Sequence, residues 1–337
     1  MKKNHVSFLT FGGKVIGTGH LYRCLAISEW LKAEDNNINI SFYLYGCDQD
    51  SVEVSRKIIS SFSNYQVHLI DDLSIKKKKW EIVVVDLLNA PLLIMKHLYF
   101  SAIRTISIDN TSYSRYFSDV AINPLYYNIE QKPIDKHRKI SHDYIGPEYQ
   151  IISPKFQSTS GKVKNNVKNI LIIQGGADPH NIVEKIYLEV YKILSTNSSL
   201  NIHVVSGPAA AKIGSKSIQE NSERIFFHHN IKDMPIFLLN IDLAISSVGI
   251  NAFEIATMGI PSIHVTAIEK ELETGALLSQ LGVSIFLGLY KELKYGDIYD
   301  QVELLIEDNL LMKKMSKAAF ELFNNKKTNQ LINLILK

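Results

Sequence analysis

A histidine and an arginine, His20 and Arg23, stand in the stretch GTGHLYRCLAIS, residues 17–28, shortly after the apolar run HVSFLTF, residues 5–11. Their spacing puts both on nearly one face of a helix. An imidazole titrates near neutral pH and can take a proton from water or a hydroxyl, so His20 at a helix start is a candidate general base or polar sugar contact. The plainer alternative is a helix-start residue with an ordinary hydrogen bond. Gly17 and Gly19 let the backbone turn sharply and approach a ligand closely. The exposed N–H groups of the following helix favour negative charge, so an anionic ligand suits this end.

Two further stretches have the residue types that hold phosphates. QGGADPHN, residues 174–181, follows the run NILII. Gly175 and Gly176 permit a tight turn, and Asp178 with Pro179 reads as a helix start with proline at the first helical position. SSVGINAFEIATMGIP, residues 246–261, sets a Ser/Gly turn after DLAI, then a helix carrying Glu254, then Gly259 and Pro261 as its ending pair. Ser246, Ser247 and the Val248–Ile250 backbone can meet a diphosphate. Glu254 can accept from both hydroxyls of a ribose; a capping or solvated helix carboxylate is its alternative.

These turns need strands before them and helices after them. Short apolar runs (VSFLTF, INISFYLY, YQVHLI, EIVVVD, IRTISI, DVAI) alternate with helical patterns at 20–33, 50–63 and 91–99. Continuous apolar strands such as 82–85 are expected where helices cover both faces of a sheet. The pattern stops between about 123 and 167, which reads as a connection. It then restarts with NILII, NIHVVSG, RIFFHH, DLAIS, IPSIHV and VSIFL, separated by expected helices at 179–195, 233–239, 250–258 and 268–281. Helical stretches at 297–307, 309–323 and 325–336 close the chain. The fold class is therefore α/β: two Rossmann-like doubly wound domains, 1–150 and 151–320, with a C-terminal helix at 321–337 that could pack back on the first. Such a pair is expected to bind ligand in a cleft at the carboxyl ends of its strands.

Composition narrows the partners. The chain has 337 residues, 46% of them apolar, and 37 basic against 34 acidic residues give a formal charge of +3. That balance argues against a nucleic-acid footprint. Cys24 and Cys47 have no partner spacing and read as small buried residues, which suits a cytoplasmic protein. No uninterrupted apolar segment reaches the ~20 residues that cross a bilayer.

The order of these constellations resembles the two-domain GT-B class of nucleotide-sugar enzymes. Within that class the chain resembles the UDP-sugar hydrolases of pseudaminic acid biosynthesis and their relatives in polysaccharide clusters. The resemblance is carried by GTGHLYRCLAIS, VVVD ending at Asp86, ISID ending at Asp109, DVAINP at 119–124, GPEYQIISPKF at 146–156, GGADPHN at 175–181 and IDLAISSVGINAFEIATMGIP at 241–261. It implies a UDP-linked 2,4-diacetamido-2,4,6-trideoxy sugar cut at its anomeric C–O bond, with His20 activating water for an inverting attack. Gly17, Gly19, Arg23, Asp86, Asn123 and Tyr149 would serve the sugar side. Gly175, Gly176, Ser246, Ser247, Gly249, Asn251 and Glu254 would serve the nucleotide, with no metal or other cofactor.

Three stretches depart from the family's pattern. Val248-Gly249-Ile250-Asn251 replaces a Gly-Gly-Ser/Thr-Thr run, Glu269-Lys270-Glu271 stands near an expected Asn-Gln pair, and Asn110 follows Asp109 where a second aspartate is common. Carboxylates beside a diphosphate oppose its binding unless Lys270 offsets them. Two other functions fit the same fold. One is a glycosyltransferase, with peripheral membrane contact if its acceptor is lipid-linked and the Lys76–Lys79 run beside Trp80 as the candidate surface. The other is a non-catalytic sugar-nucleotide binder.

Overall fold

The structure, a computed structural model, describes residues 5–12, 18–125, 142–157, 166–175, 178, 180–207, 210, 223–323 and 326–337. The chain divides into two compact units, Met1–Pro154 with Asn325–Lys337, and Lys155–Asn324.

In the first unit β1 (His5–Thr10), β2 (Asn39–Tyr45), β3 (Gln66–Ile70), β4 (Trp80–Asp86), β5 (Ala102–Ile108), β6 (Val120–Asn123) and β7 (His142–Ile145) form one sheet in the order β3-β2-β1-β4-β5-β6-β7. Every pair is parallel. Its helices are α1 (Gly19–Glu34), α2 (Gln49–Phe62), α3 (Asp72–Lys77) and α4 (Leu92–Ser101). On one face Val6, Phe8, Phe42, Val84 and Ile106 pack with Leu21 and Leu25 of α1 and with Leu331, Ile332 and Ile335 near the C-terminus. On the other, Leu9, Val83 and Val85 pack with Ile94, Met95 and Leu98 of α4. Both faces are dry, which is why β4 is apolar at every position from Ile82 to Val85.

α1 forms because Leu21, Cys24, Leu25, Ser28 and Leu31, all buried, recur at three- and four-residue spacing. Each leucine contributes about 1.5–3 kcal/mol by leaving water. That outweighs the missing side-chain cap at Thr18, a feature worth about 1 kcal/mol. The strand order reverses between β1 and β4, and the last residues of these strands, Thr10 and Asp86, are register partners. α1 therefore starts beside a switch point, where open parallel sheets bind ligands.

The short helix α5 (Pro154–Gln157) lies at the boundary in the chain. In the second unit β8 (Asn169–Ile173), β9 (Asn201–Ser206), β10 (Ile225–His229), β11 (Leu243–Ser246), β12 (Ser262–Thr266) and β13 (Ile285–Leu289) form a sheet in the order β10-β9-β8-β11-β12-β13. All its pairs are parallel as well. Its helices are α6 (Ile182–Val190), α7 (Ile193–Thr196), α8 (Met234–Leu238), α9 (Ile250–Thr257), α10 (Leu272–Gln280), α11 (Asp297–Glu307) and α12 (Asn309–Leu322); α13 (Lys326–Leu336) belongs to the first unit. The switch point here lies between β8 and β11.

Three local expectations differ from the structure. The span 123–167, expected as a connection, contains β7, which continues the first sheet from β6 in register Val120↔His142 to Asn123↔Ile145. The helix expected from Pro179 begins at Ile182, because Asp178, with a left-handed φ of 41°, accepts from Ile182 N at 2.8 Å and Val183 N at 3.0 Å; Pro179 itself lies outside the described residues. The helix expected at 268–281 opens as a 3-10 turn, Glu269–Glu271, before α10. Among the described residues no helix is long and apolar enough to cross a membrane.

Candidate active site

The first turn of α1 brings His20 to the end of β4. His20 Nδ1 lies 2.6 Å from Asp86 Oδ1. Arg23, one turn on, donates through Nε to Asp86 Oδ2 at 2.8 Å and through Nη2 to Asp86 Oδ1 at 2.6 Å and Asp109 Oδ2 at 3.1 Å. Asp86 is fully buried and Arg23 nearly so. Burial alone would push the Asp86 carboxyl up, but Arg23 and His20 hold it below the usual carboxylate range. Burial likewise opposes the charge on Arg23, and Asp86 and Asp109 raise its pKa above the ordinary guanidinium value.

An ionised carboxylate can only accept, so the proton in the 2.6 Å contact belongs to His20 Nδ1. Arg23 Nη2, 3.1 Å from the same nitrogen, is then a second donor beside the first and not its hydrogen-bond partner. In the neutral ring that leaves the lone pair on Nε2. Phe11 walls the ring at a centroid distance of 4.7 Å, and 12% of the His20 side chain stays exposed. Neighbouring strand ends supply acceptors without partners among the described residues. They are Asp109 Oδ1, on a residue with a left-handed φ of 55°, and Asn123 Oδ1, whose amide donates to Asp143 at 3.3 Å. Each buried acceptor left so costs about 1–3 kcal/mol, which a ligand N–H or O–H would recover.

In the second unit the chain leaves β8 through Gln174 and Gly175 and leaves β11 through Ser246 and Ser247 into α9. Gly175 has φ 80°, and a side chain there would begin 3.9 Å from Ser247 Oγ, so the two turns adjoin. With its amide oriented to satisfy both neighbours, Gln174 donates to Val265 O at 3.2 Å and accepts from Ser247 N at 3.3 Å. Ser246 is buried and its hydroxyl bonds Ser247 O at 2.9 Å and His264 Nδ1 at 3.0 Å. Burial pushes His264 down to about 4, so it is a neutral strut at pH 7. Glu271 accepts from Val248 N at 3.4 Å and from the Thr266 hydroxyl. Glu254, in the second turn of α9, is pushed up to about 8 by burial. At neutral pH it is mostly a carboxylic acid, both donor and acceptor.

The structure thus gathers Gly19, His20, Arg23 and Asp86 at one switch point and Gly175, Ser246, Ser247, Gly249, Asn251 and Glu254 around the other. Gly17 and Gly176 lie outside the described residues. Arg23 and Asp86, expected on the sugar side, are buried and bonded to each other, and Asp86 also meets His20 Nδ1. The Ser246 hydroxyl, expected at a diphosphate, is bonded to Ser247 O and His264 Nδ1. Asn123 ends β6, two strands from Asp86 in the sheet. Tyr149 packs on Tyr144 at 5.1 Å and lies beneath Lys327 Nζ at 5.3 Å, in the core shared with α13. Gln174 and His264 were not expected; their signal is a polar residue in or just after a buried strand.

No protein-family model matches the chain. The spore coat polysaccharide biosynthesis protein SpsG of Bacillus subtilis (strain 168) is 23% identical over 327 residues, covering 96% of this chain and 95% of that protein. Among solved structures, the glycotransferase of kitacinnamycin superposes with a TM-score of 0.65 at 11% identity, covering 100% of this chain and 99% of that one. S. aureus MnaA in a co-structure with UDP gives 0.62 at 12% identity, with 98% and 96% covered. At such identities the structural likeness concerns the fold: two Rossmann-like doubly wound domains of the GT-B class.

Proposed function

We propose that this chain is an enzyme of polysaccharide or nonulosonic acid biosynthesis that hydrolyses a UDP-linked 2,4-diacetamido-2,4,6-trideoxy sugar. The observation that carries the reading is the 2.6 Å contact between His20 Nδ1 and Asp86 Oδ1. With Nδ1–H held by Asp86, Nε2 takes a proton from water as the water oxygen attacks the anomeric carbon. The anomeric C–O bond breaks, its electron pair leaves with the diphosphate, and the products are free sugar and UDP. Asp109 Oδ1 and Asn123 Oδ1, both without partners among the described residues, suit the N–H and O–H groups of an acetamido sugar. On the second unit, backbone N–H groups at the start of α9 stabilise the diphosphate and its developing charge. Glu254 faces the ribose as a neutral acid. The co-structure of MnaA with UDP supports a uridine nucleotide, and the likeness to SpsG supports a polysaccharide pathway.

A base fixed in this way would equally deprotonate an acceptor hydroxyl, and the likeness to a glycotransferase favours that as the second reading. The test is incubation of purified protein with a panel of UDP-linked diacetamido trideoxy sugars without acceptor, followed by NMR. Steady release of UDP and free sugar is expected. UDP binding without release until an alcohol acceptor is supplied would assign the transferase.

A further inference from the structure

We infer that the Glu271 carboxylate is an internal anion at the amino end of α9, occupying the position of a ligand phosphate, which has to displace it in order to bind. The inference rests on the nucleotide reading above.

Three observations carry it. Glu271 Oε2 accepts the Val248 amide at 3.4 Å, and Oε1 lies 3.9 Å from where a side chain on Gly249, the α9 N-cap, would begin. The carboxylate therefore sits against the peptide groups that lead into an eight-residue helix, where its dipole favours a negative charge. Second, no salt bridge forms to Glu271 among the described residues. Of the titratable groups on the elements that meet at this turn, Glu254 lies on α9, the neutral His264 on β12, Glu269 and Lys270 on the turn itself and Glu273 on α10, while Lys291 pairs with Glu269 at 3.4 Å. Third, the contact with the amide is a weak one. At 3.4 Å the Val248 bond is long, and Thr266 Oγ1 also accepts from Ile268 N at 3.0 Å, so the loop stays closed when the carboxylate leaves. A phosphate and an ionised Glu271 held within a few ångströms repel one another and lower affinity many-fold.

Burial raises the Glu271 pKa, opposed by its bonds from Thr266 and Val248. Acidification takes the charge off the carboxylate and weakens the competition. Calorimetric titration of the full chain with UDP at pH 6 and pH 8, in wild type and Glu271→Gln, tests the inference; the ratio of the two affinities at each pH cancels the ligand's own titration. Glutamine keeps an acceptor for Thr266 and Val248 while removing the charge. The expected result is UDP binding about ten-fold tighter in Glu271→Gln at pH 8, with the ratio falling as the pH is lowered. Glu271→Ala, with folding checked by circular dichroism, should tighten binding as well. Equal affinities at both pH values, or weaker binding in both variants, would overturn the inference and leave the nucleotide reading standing. Absence of UDP binding in wild type and variants alike would overturn the nucleotide reading, and this inference with it.

Discussion

His20 Nδ1 and Asp86 Oδ1 meet at 2.6 Å across 66 residues of sequence, where the strand order of the first sheet reverses. One strand end and one helix start thereby orient an imidazole, and Arg23 neutralises the carboxylate that does so. His20→Gln should lower turnover by about 10²- to 10⁴-fold, the usual worth of a general base. UDP affinity, measured by calorimetry, should be unchanged, since the nucleotide is assigned to the second unit.

Asp86→Asn should cost stability as well as turnover. It leaves Arg23 buried with Asp109 as its one carboxylate, and stranding a buried charge costs about 3–5 kcal/mol. The Asp86 pKa is depressed in the folded state. Its contribution is therefore present above the ordinary aspartate value and is lost as pH falls through the folded one. Urea denaturation at pH 7 and pH 3.5 checks both points: the gap between wild type and variant should narrow at the lower pH.

Glu254 gives the opposite sign. Its folded pKa of about 8 exceeds the ordinary 4.5, so between these values the unfolded chain has lost a proton that the folded chain keeps. Stability then falls as pH rises. Glu254→Gln should melt at the same temperature as wild type near pH 4 and higher at pH 8.5. The difference should be a few degrees, at roughly 2–4 °C per kcal/mol for a unit of this size. Thermal melts followed by circular dichroism give the comparison.

Gly275 holds α10 against β13. A side chain at this position would begin 2.5 Å from the Phe286 ring, a distance that forces movement. Gly275→Ala should destabilise the second unit by about 1–3 kcal/mol, the range for overpacking. Because α10 follows directly on the turn bearing Glu271, UDP affinity should change too. An unaltered urea midpoint would show that Phe286 yields without cost.

β4 and β5 of the first sheet were legible because their chemistry and their burial coincide. VVVD and ISID are apolar runs that end on an acid, so the last residue marks both the strand end and the site. α9 and α11 were legible for similar reasons, a Gly turn in one and an acidic first turn in the other. α3 was not, since Ile75 is its one buried residue and four lysines at 76–79 mask the period. β7 was hidden because HDYI is short and half polar. Asp178 was read as the start of a helix that it caps from outside. The direction of Arg23 could not be read from its own segment: its acceptors lie 63 and 86 residues away, and only the strand order brings them under α1. The same holds for Glu271, whose amide partner is 23 residues back.

Turnover of a UDP-linked diacetamido trideoxy sugar in ¹⁸O-labelled water, by wild type and His20→Gln, tests the central claim most directly. If His20 sends water to the anomeric carbon, wild type releases UDP free of label, new label enters the sugar, and His20→Gln releases almost nothing. Labelled UDP would place the attack on phosphorus, and full turnover in His20→Gln would remove the base from the mechanism; either result contradicts this account.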